Sequence, residues 1–225
     1  MVWTTSSIVP YDIIDADAIL RKIEYACRTC YQSYDKTGEG SAERLIRNCI
    51  QRGHESILEH VSLTFTVVCD RAVLAQWTRH RMASYAVESQ RYCNYGLDKF
   101  DRRVSFIRPV WAEEMWKWTP PYTDEQLQRM QMFYTLQEQF LQSERNYFEL
   151  IRLGAKPEEA RALLPNAVKC TMIWTANMRE IRHFIKLRAN KAADPSIRKL
   201  AYQLYQTFID SGLSVLVEDL EVVNV

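Results

Sequence analysis

No stretch of this sequence approaches the roughly 18 consecutive apolar residues that a membrane-spanning helix needs. The opening residues MVWTTSSIVPYDIIDADAIL lack both a basic start and a continuous apolar run, so no secretory leader is expected. Net charge is nearly absent: 29 Lys and Arg offset 28 Asp and Glu, leaving +1. Such a chain has no global attraction to nucleic acid or an anionic membrane, so any anion site must come from a local cluster of basic residues. Neither G-x-G-x-x-G nor a Walker A motif occurs, and neither a Rossmann nor a Walker nucleotide site is expected. The six cysteines (Cys27, Cys30, Cys49, Cys69, Cys93 and Cys170) are scattered, without the pattern of a small disulfide framework. Internal repeats and low-complexity tracts are missing as well. The chain reads as a cytoplasmic globular protein.

What is present suffices to build a core. Of 225 residues, 47% are hydrophobic and 25% charged, which fits one domain, or one domain with an added helical lobe, and excludes wholesale disorder. Asp15 to Ser33 reads as an amphipathic helix through Ile19, Leu20, Ile23 and Ala26. Cys27 and Cys30 have CxxC spacing inside that pattern and are expected to pack in the core. Ser41 can cap a second helix, which Gly53 ends. In VSLTFTVVC (61–69), Leu63, Phe65, Val67 and Cys69 alternate with Ser62, Thr64 and Thr66, as in a half-buried strand. Asp70 opens a short helix running through Leu74 and Trp77 into Arg79-His80-Arg81. The stretch MASYAVESQRYCNYGLDKFDRR shows no clear period and reads as a long functional loop. VSFIRPVW (104–111) reads as a strand, and Pro120-Pro121 as a break. Thr123 and Gln126 form a capping box for a long helix to Leu153, stopped by Gly154. After a short helix near Pro157, VKCTMIWT (168–175) reads as a strand. Asn177 and Glu180 begin another helix, and Asp194-Pro195 begins one that Gly212 closes. Long helices with few strands predict an α+β fold, a sheet flanked by helices.

The histidines point to the chemistry. His54 and His60 bracket HESILEH before the first of these strands, and His80 sits in Arg79-His80-Arg81 after the following helix. A strand and one helix make a compact unit whose entry and exit could lie near each other. Adjacent cations repel by about 1 kcal/mol per pair in water, and by more when partly buried. They are tolerated on an exposed helix end, where the dipole favours cations, or where an anion is bound. RHRMASYAVESQRY then adds Ser84, Ser89, Arg91 and Tyr92. Hydroxyls, backbone N–H groups and guanidinium forks are the parts that hold phosphate oxygens. Each charged hydrogen bond contributes roughly 1.5–3 kcal/mol.

Those residues match the pattern RHRxxSxxxxSxRY, and through it the chain resembles the flavin-dependent thymidylate synthases. His54-x-Ser56-x-x-Glu59-His60 resembles the family's H-x-[ST]-x-x-E-H segment. Glu158-x-x-Arg161-x-x-Leu164-Pro165 resembles its E-x-x-R-x-x-L-P segment, and Trp174-Thr175-x-Asn177, His183-Phe184 and Leu187-Arg188 follow at the family's spacing. One departure stands in the loop motif. Many members carry Asn-Glu where this chain has Ala86-Val87, and Glu88, one place later, is the candidate replacement. Residues 94–122 form a variable, insertion-like segment outside the resemblance.

The resemblance implies a single catalytic domain over residues 1–225, with a central, mostly antiparallel or mixed sheet flanked by long helices. It implies transfer of a methylene from methylenetetrahydrofolate to C5 of dUMP, then reduction to dTMP by hydride from FADH2, with NADPH regenerating the flavin. No covalent enzyme nucleophile is implied. Gln76, Arg79, Ser89, Arg91, Glu158, Arg161 and Arg188 are implied on dUMP: Ser89 and Arg91 at the phosphate, Glu158 at the sugar, and Arg188, the catalytic residue, against the uracil carbonyl edge. A guanidinium there stabilises negative charge developing on the base, making C5 more nucleophilic. His54, Ser56, Arg79, His80, Arg81, Glu88, Asn177 and His183 are implied around FAD. The family binds FAD between the subunits of a homotetramer; metal, nucleic acid and membrane have no part. Helical spacing puts His183 on roughly the same side as Arg179 and Lys186.

Two other readings of the residues stay open. His54, Glu55, Glu59 and His60 could ligate a metal in a nucleotide phosphohydrolase, although His54 and His60, six apart, do not share a helical face. Arg79, Arg81 and Arg91, with Tyr85 and Tyr92, could contact RNA, against which stand the +1 charge and the lack of a long basic stripe.

Overall fold

The computed structural model describes residues 1–225 and is α+β. Its strands are β1 (Val2–Thr4), β2 (Ser7–Pro10), β3 (Ser62–Asp70), β4 (Ala83–Val87), β5 (Ser105–Ile107) and β6 (Lys169–Asn177). Its α-helices are α1 (Ala16–Thr29), α2 (Ser41–Gln51), α3 (Arg71–Trp77), α4 (Asp124–Arg152), α5 (Pro157–Ala160), α6 (Met178–Arg188) and α7 (Pro195–Asp210). One sheet has two strands, β1-β5, and the other four, in the order β2-β3-β6-β4. The residues group into two compact units: Met1–Ser6 with Val68–Ala75 and Val87–Thr171, and Ser7–Val67 with Gln76–Ala86 and Met172–Val225.

The first unit is organised by α4. Thr123 Oγ1 accepts from the Gln126 amide at 3.2 Å while Gln126 Oε1 accepts from the Thr123 amide at 2.9 Å, the reciprocal pair that satisfies two open donors of a helix start. The helix ends at Gly154, whose φ of +98° is open to glycine and costly for residues with a Cβ. Between these ends Phe133, Phe140 and Tyr147 recur every two turns on the buried side. Phe140 and Tyr147 share a core with Tyr95, Val104, Phe106 and Val168. Phe106 stacks on Phe140 with ring centroids 4.8 Å apart. Trp3 lies 5.0 Å from Phe133 and 5.7 Å from Phe140, seated by the parallel pairing of β1 with β5. Each such ring contributes roughly 1.5–3 kcal/mol on burial.

In the second unit the core is aromatic behind α6. Trp77, Trp174 and Phe184 are fully buried, with Trp77 and Phe184 centroids 4.2 Å apart and Phe65 5.8 Å from Trp174. Met172, Trp174 and Ala176 face inward at alternate positions of β6, as Phe65 and Val67 do on β3. The Thr64 and Thr175 hydroxyls meet at 2.9 Å in this unit, and the Cys69 and Cys170 sulfurs lie 3.9 Å apart in the first; together these are the register of an antiparallel pair. Asn177 caps α6 by accepting from the Glu180 amide at 2.9 Å, Asp194 caps α7 through the Ser196 amide, and Gly212 ends α7 at φ +75°.

Three expectations change. The stretch read as a long loop contains β4, where Ala83, Tyr85 and Val87 are half-buried and Ser84 and Ala86 exposed. Its alternation is only five residues long and two of its small side chains carry no polarity signal. Gly40, at φ +63°, occupies the N-cap of α2 in place of Ser41, whose hydroxyl bonds the buried Glu24. Cys27 is buried, but Cys30 is exposed at the C-cap of α1, one step beyond the buried stripe. The short strands β1 and β2 were outside any pattern the sequence displayed.

Candidate active site

The chemistry-bearing residues gather in two places, one in each unit. In the second unit, the chain leaving α3 turns sharply, with the His80 amide donating to Trp77 O at 3.0 Å. The Tyr85 hydroxyl is directed at the carbonyls of both Trp77 and His80. Burial pushes that phenol up to about 12, so it keeps its proton and serves as donor. The turn drives the His80 ring inward, edge-on to Phe184 with centroids 4.9 Å apart, while Arg79 and Arg81 on either side stay exposed without ion pairs.

Both His80 nitrogens are engaged. Nδ1 lies 3.0 Å from Glu180 Oε1, and Nε2 accepts from Arg188 Nε at 3.1 Å. Burial holds the imidazole below its ordinary value of 6.5, and Arg188 adds to the effect against the opposing pull of Glu180. A neutral ring with its proton on Nδ1, donated to Glu180, is the tautomer this pattern assigns. Arg188 also donates through Nη2 to Gln76 O at 3.0 Å. Of the five guanidinium N–H groups, these bonds use two and leave three for a ligand. Burial lowers the Arg188 value from its ordinary 12.5.

Around this triad lies a cleft of about 480 Å³, lined by Arg79, His80, Arg81, Met82, Glu180, His183, Leu187 and Arg188. A larger one, about 840 Å³, shares Met82, Glu180 and His183 with it and adds Glu55, Glu59, Asn177, Arg179, Arg182, Lys186 and Asp219 to its walls. His183 does stand with Arg179 and Lys186, as helical spacing anticipates. Glu55 and Glu59 from before β3 and Met82 from after α3 meet on this wall, so the entry and exit of that unit are indeed neighbours. His54 and Ser56 are exposed and line neither cleft. Of the four residues of the phosphohydrolase reading, Glu55 and Glu59 share that wall but are held by arginines, Glu59 by Arg179 at 2.6 Å and Glu55 by Arg182 at 3.3 Å, and His54 lines neither cleft. His80, Glu180 and His183 do bring donor atoms within 4.8 Å of one another. Hydrogen bonds to Glu180 and Arg188 occupy both His80 nitrogens, and His183 stands beside that ring with centroids 5.6 Å apart.

In the first unit, Ser89, Arg91, Glu158 and Arg161 come together. Arg91 Nε donates to Glu158 Oε2 at 3.2 Å, Arg161 Nε to Glu158 O at 3.2 Å, and the Arg91 amide to Ser89 Oγ at 3.3 Å. The Arg91–Glu158 pair is exposed, with side chains 56% and 40% accessible, so it contributes about 0–1 kcal/mol. Glu88 differs from its neighbours, for its carboxylate is taken by Lys169, Thr171 and Tyr95.

Sequence reasoning missed Glu180, Tyr85 and Met82 as members of the second cluster. Glu180 was visible only as the third residue of a helix start, and nothing local announces that the same carboxylate reaches a histidine 100 positions earlier.

A family profile described as thymidylate synthase complementing protein matches residues 12–211. A flavin-dependent thymidylate synthase of Mycolicibacterium vanbaalenii is 31% identical over 227 residues, covering 93% of this chain and 82% of that protein. One from Mycobacterium avium is 31% identical over 239 residues, covering 97% and 88%. A crystal structure of thymidylate synthase X from Helicobacter pylori with FAD and dUMP superposes with a TM-score of 0.69 at 20% identity, over 95% of this chain and 98% of that one.

Proposed function

The chain belongs to the flavin-dependent thymidylate synthase family, and from that premise we propose how its own residues convert dUMP to dTMP with FAD as cofactor. The observation that carries the proposal is Arg188, fixed by His80 and Gln76 at the wall of a cleft with three donors unspent. Against the uracil carbonyl edge, those donors stabilise charge as it builds on the base and raise the nucleophilicity of C5. Donors already oriented need no reorganisation at the moment of reaction; removing one of this kind typically costs 10²–10³ in rate, by order of magnitude. His80 orients Arg188, and Glu180 fixes the tautomer of His80.

Phosphate recognition is assigned to Ser89 and Arg91, with Glu158 at the sugar and Gln76, Arg79 and Arg161 contacting the nucleotide. Ser89 acts as a donor rather than a nucleophile: its Oγ accepts from a backbone amide and has no histidine or carboxylate bonded to it to remove its proton. No cysteine lines either cleft. Both facts support a reaction without a covalent enzyme nucleophile.

The residues suit an FAD molecule, a flat ring joined to a diphosphate. Arg79 and Arg81 carry positive charge with no internal partner, and Met82, Leu187 and His183 offer surfaces for a planar group. His54, Ser56, His80 and Asn177 complete the proposed flavin set. When bound, FAD supplies in reduced form the hydride that turns the methylene from methylenetetrahydrofolate into a methyl group, and NADPH restores it. Exposed arginines without an internal ion-pair partner suit sites that lie at the subunit interfaces of a homotetramer.

The visible spectrum of the purified protein tests the reading. Flavin absorbance that stays with the protein and shifts when dUMP is added is the expected result. A colourless protein that cannot retain FAD, or one whose turnover needs stoichiometric metal, would reject it.

A further inference from the structure

The phosphate turn Ser89–Arg91 is short and its Arg91 exposed, so something must hold it in place. The chain leaves β4 at Glu88, whose amide donates to Thr171 O at 2.9 Å and whose carbonyl accepts from Arg71 Nη1 at 3.3 Å. Its side chain points inward, 13% accessible. Oε2 accepts from Lys169 Nζ at 2.7 Å and from the Thr171 amide at 3.2 Å; Oε1 accepts from the Tyr95 hydroxyl at 3.2 Å. Between Glu88 and Tyr95 the chain folds back tightly, with the Tyr92 and Cys93 amides both donating to Ser89 O at 3.1 and 2.9 Å. Tyr95 is buried, and its own amide donates to the Tyr147 hydroxyl on α4. Burial and the facing Glu88 carboxylate push the Tyr95 phenol far up, so it remains a donor. The Glu88–Tyr95 bond therefore closes the turn across its two ends, and Lys169 neutralises the charge that closes it.

We propose that Glu88, clasped by Lys169 and Tyr95, is a positioning residue for the phosphate turn: it sets dUMP affinity by fixing where Ser89 and Arg91 stand, and touches neither flavin nor reacting atoms. The inference rests on the assignment of Ser89 and Arg91 to phosphate. It also gives the Ala86-Val87-Glu88 sequence a physical role of its own. A carboxylate moved one place along an extended strand points to the opposite face, here to the side of Lys169 and Thr171.

The test uses the holoenzyme with Tyr95→Phe, Glu88→Gln, Lys169→Met and Lys169→Arg. It reads the KM for dUMP, kcat, retained flavin absorbance, and inhibition by 2′-deoxyuridine, which lacks the phosphate. Tyr95→Phe and Lys169→Met should each raise the KM for dUMP about tenfold, with kcat within about twofold, flavin retained and deoxyuridine binding unchanged. Lys169→Arg should restore most of the affinity. Tyr95→Phe keeps the ring against Phe100 and Tyr147, so it decides the matter even if a Glu88 variant fails to fold. An unchanged KM for dUMP, a fall confined to kcat, or loss of flavin from Glu88→Gln would each overturn the proposal. Arg91→Ala separates the two levels. If it leaves the KM for dUMP unchanged, the phosphate assignment has failed and the clasp proposal with it. If it raises the KM while the clasp variants do not, the clasp proposal alone has failed.

Discussion

Replacing Glu180 with leucine should slow turnover without emptying the enzyme of flavin. Glu180 Oε1 and His80 Nδ1 are 3.0 Å apart, with side chains only 10% and 2% accessible. A hydrogen bond to a charged partner in such a place contributes roughly 1.5–3 kcal/mol. Its loss has a directional consequence. With no acceptor at Nδ1, the imidazole is released to carry its proton on Nε2, where two N–H groups would face each other between His80 and Arg188. Arg188 then loses a holding bond, and the three donors it presents lose their fixed aim. If the whole term appears in the transition state, kcat should fall about 10- to 150-fold. The fold should survive, because a loss of about 1.5–3 kcal/mol is smaller than the roughly 5–15 kcal/mol by which a domain is stable. Glu180→Gln keeps an oxygen acceptor and should lose less than about tenfold. Steady-state kinetics with flavin content measured on the same samples decides the case. A Glu180→Leu enzyme with normal kcat, or one altered in KM alone, would show that His80 does not transmit orientation to Arg188.

Arg188→Ala should retain flavin and lose kcat by about 10²–10³; single-turnover oxidation of the reduced enzyme in the presence of dUMP and folate reads it, and a near-normal rate would remove Arg188 from the chemistry. For pH, His80 is held below 6.5 in the folded protein, so the unfolded chain takes up the proton first and binds more of it in the window below that value. The corresponding stability is complete above about pH 6.5 and is lost as pH falls toward the folded-state value. Thermal melting points on the acid side should therefore fall less steeply in His80→Gln than in the parent, and identical slopes would contradict the assignment. Trp77→Ala removes a fully buried ring packed 4.2 Å from Phe184 and should cost about 3–5 kcal/mol in denaturant unfolding; a cost under about 1 kcal/mol would mean the aromatic cluster behind His80 is not tightly packed.

Much of the fold was legible because its signals are local. The Thr123–Gln126 box, the Asn177 and Asp194 caps and the glycines at 53, 154 and 212 act within a few residues of themselves, and each appears where the residue pattern puts it. Alternation exposed β3 because polar and apolar residues differ sharply there. It failed for β4, whose Ala83, Ser84 and Ala86 are too small to mark a face, and for β1, whose three residues are ordered by tertiary pairing with β5. The cationic cluster was legible from Arg79-His80-Arg81, but its internal division was not. Those three look alike in sequence, and only packing against Phe184 turns His80 into a neutral, buried connector while its neighbours remain exposed cations. Glu88 shows the same limit: its identity was visible, yet Lys169 and Tyr95 meet it only after folding.

Helix α6 carries Glu180 near its start and Arg188 at its end, and one imidazole bonds both. Eight residues of helix advance about 12 Å, a gap closed because a long side chain leans back toward the helix start. The helix is thus a ruler whose graduations are residues. Inserting or deleting a single residue between the two would rotate one against the other by about 100°, a change no rotamer can absorb. Substitutions along α6 leave that spacing intact, whereas a one-residue insertion between Glu180 and Arg188 should separate the two ends from the shared imidazole.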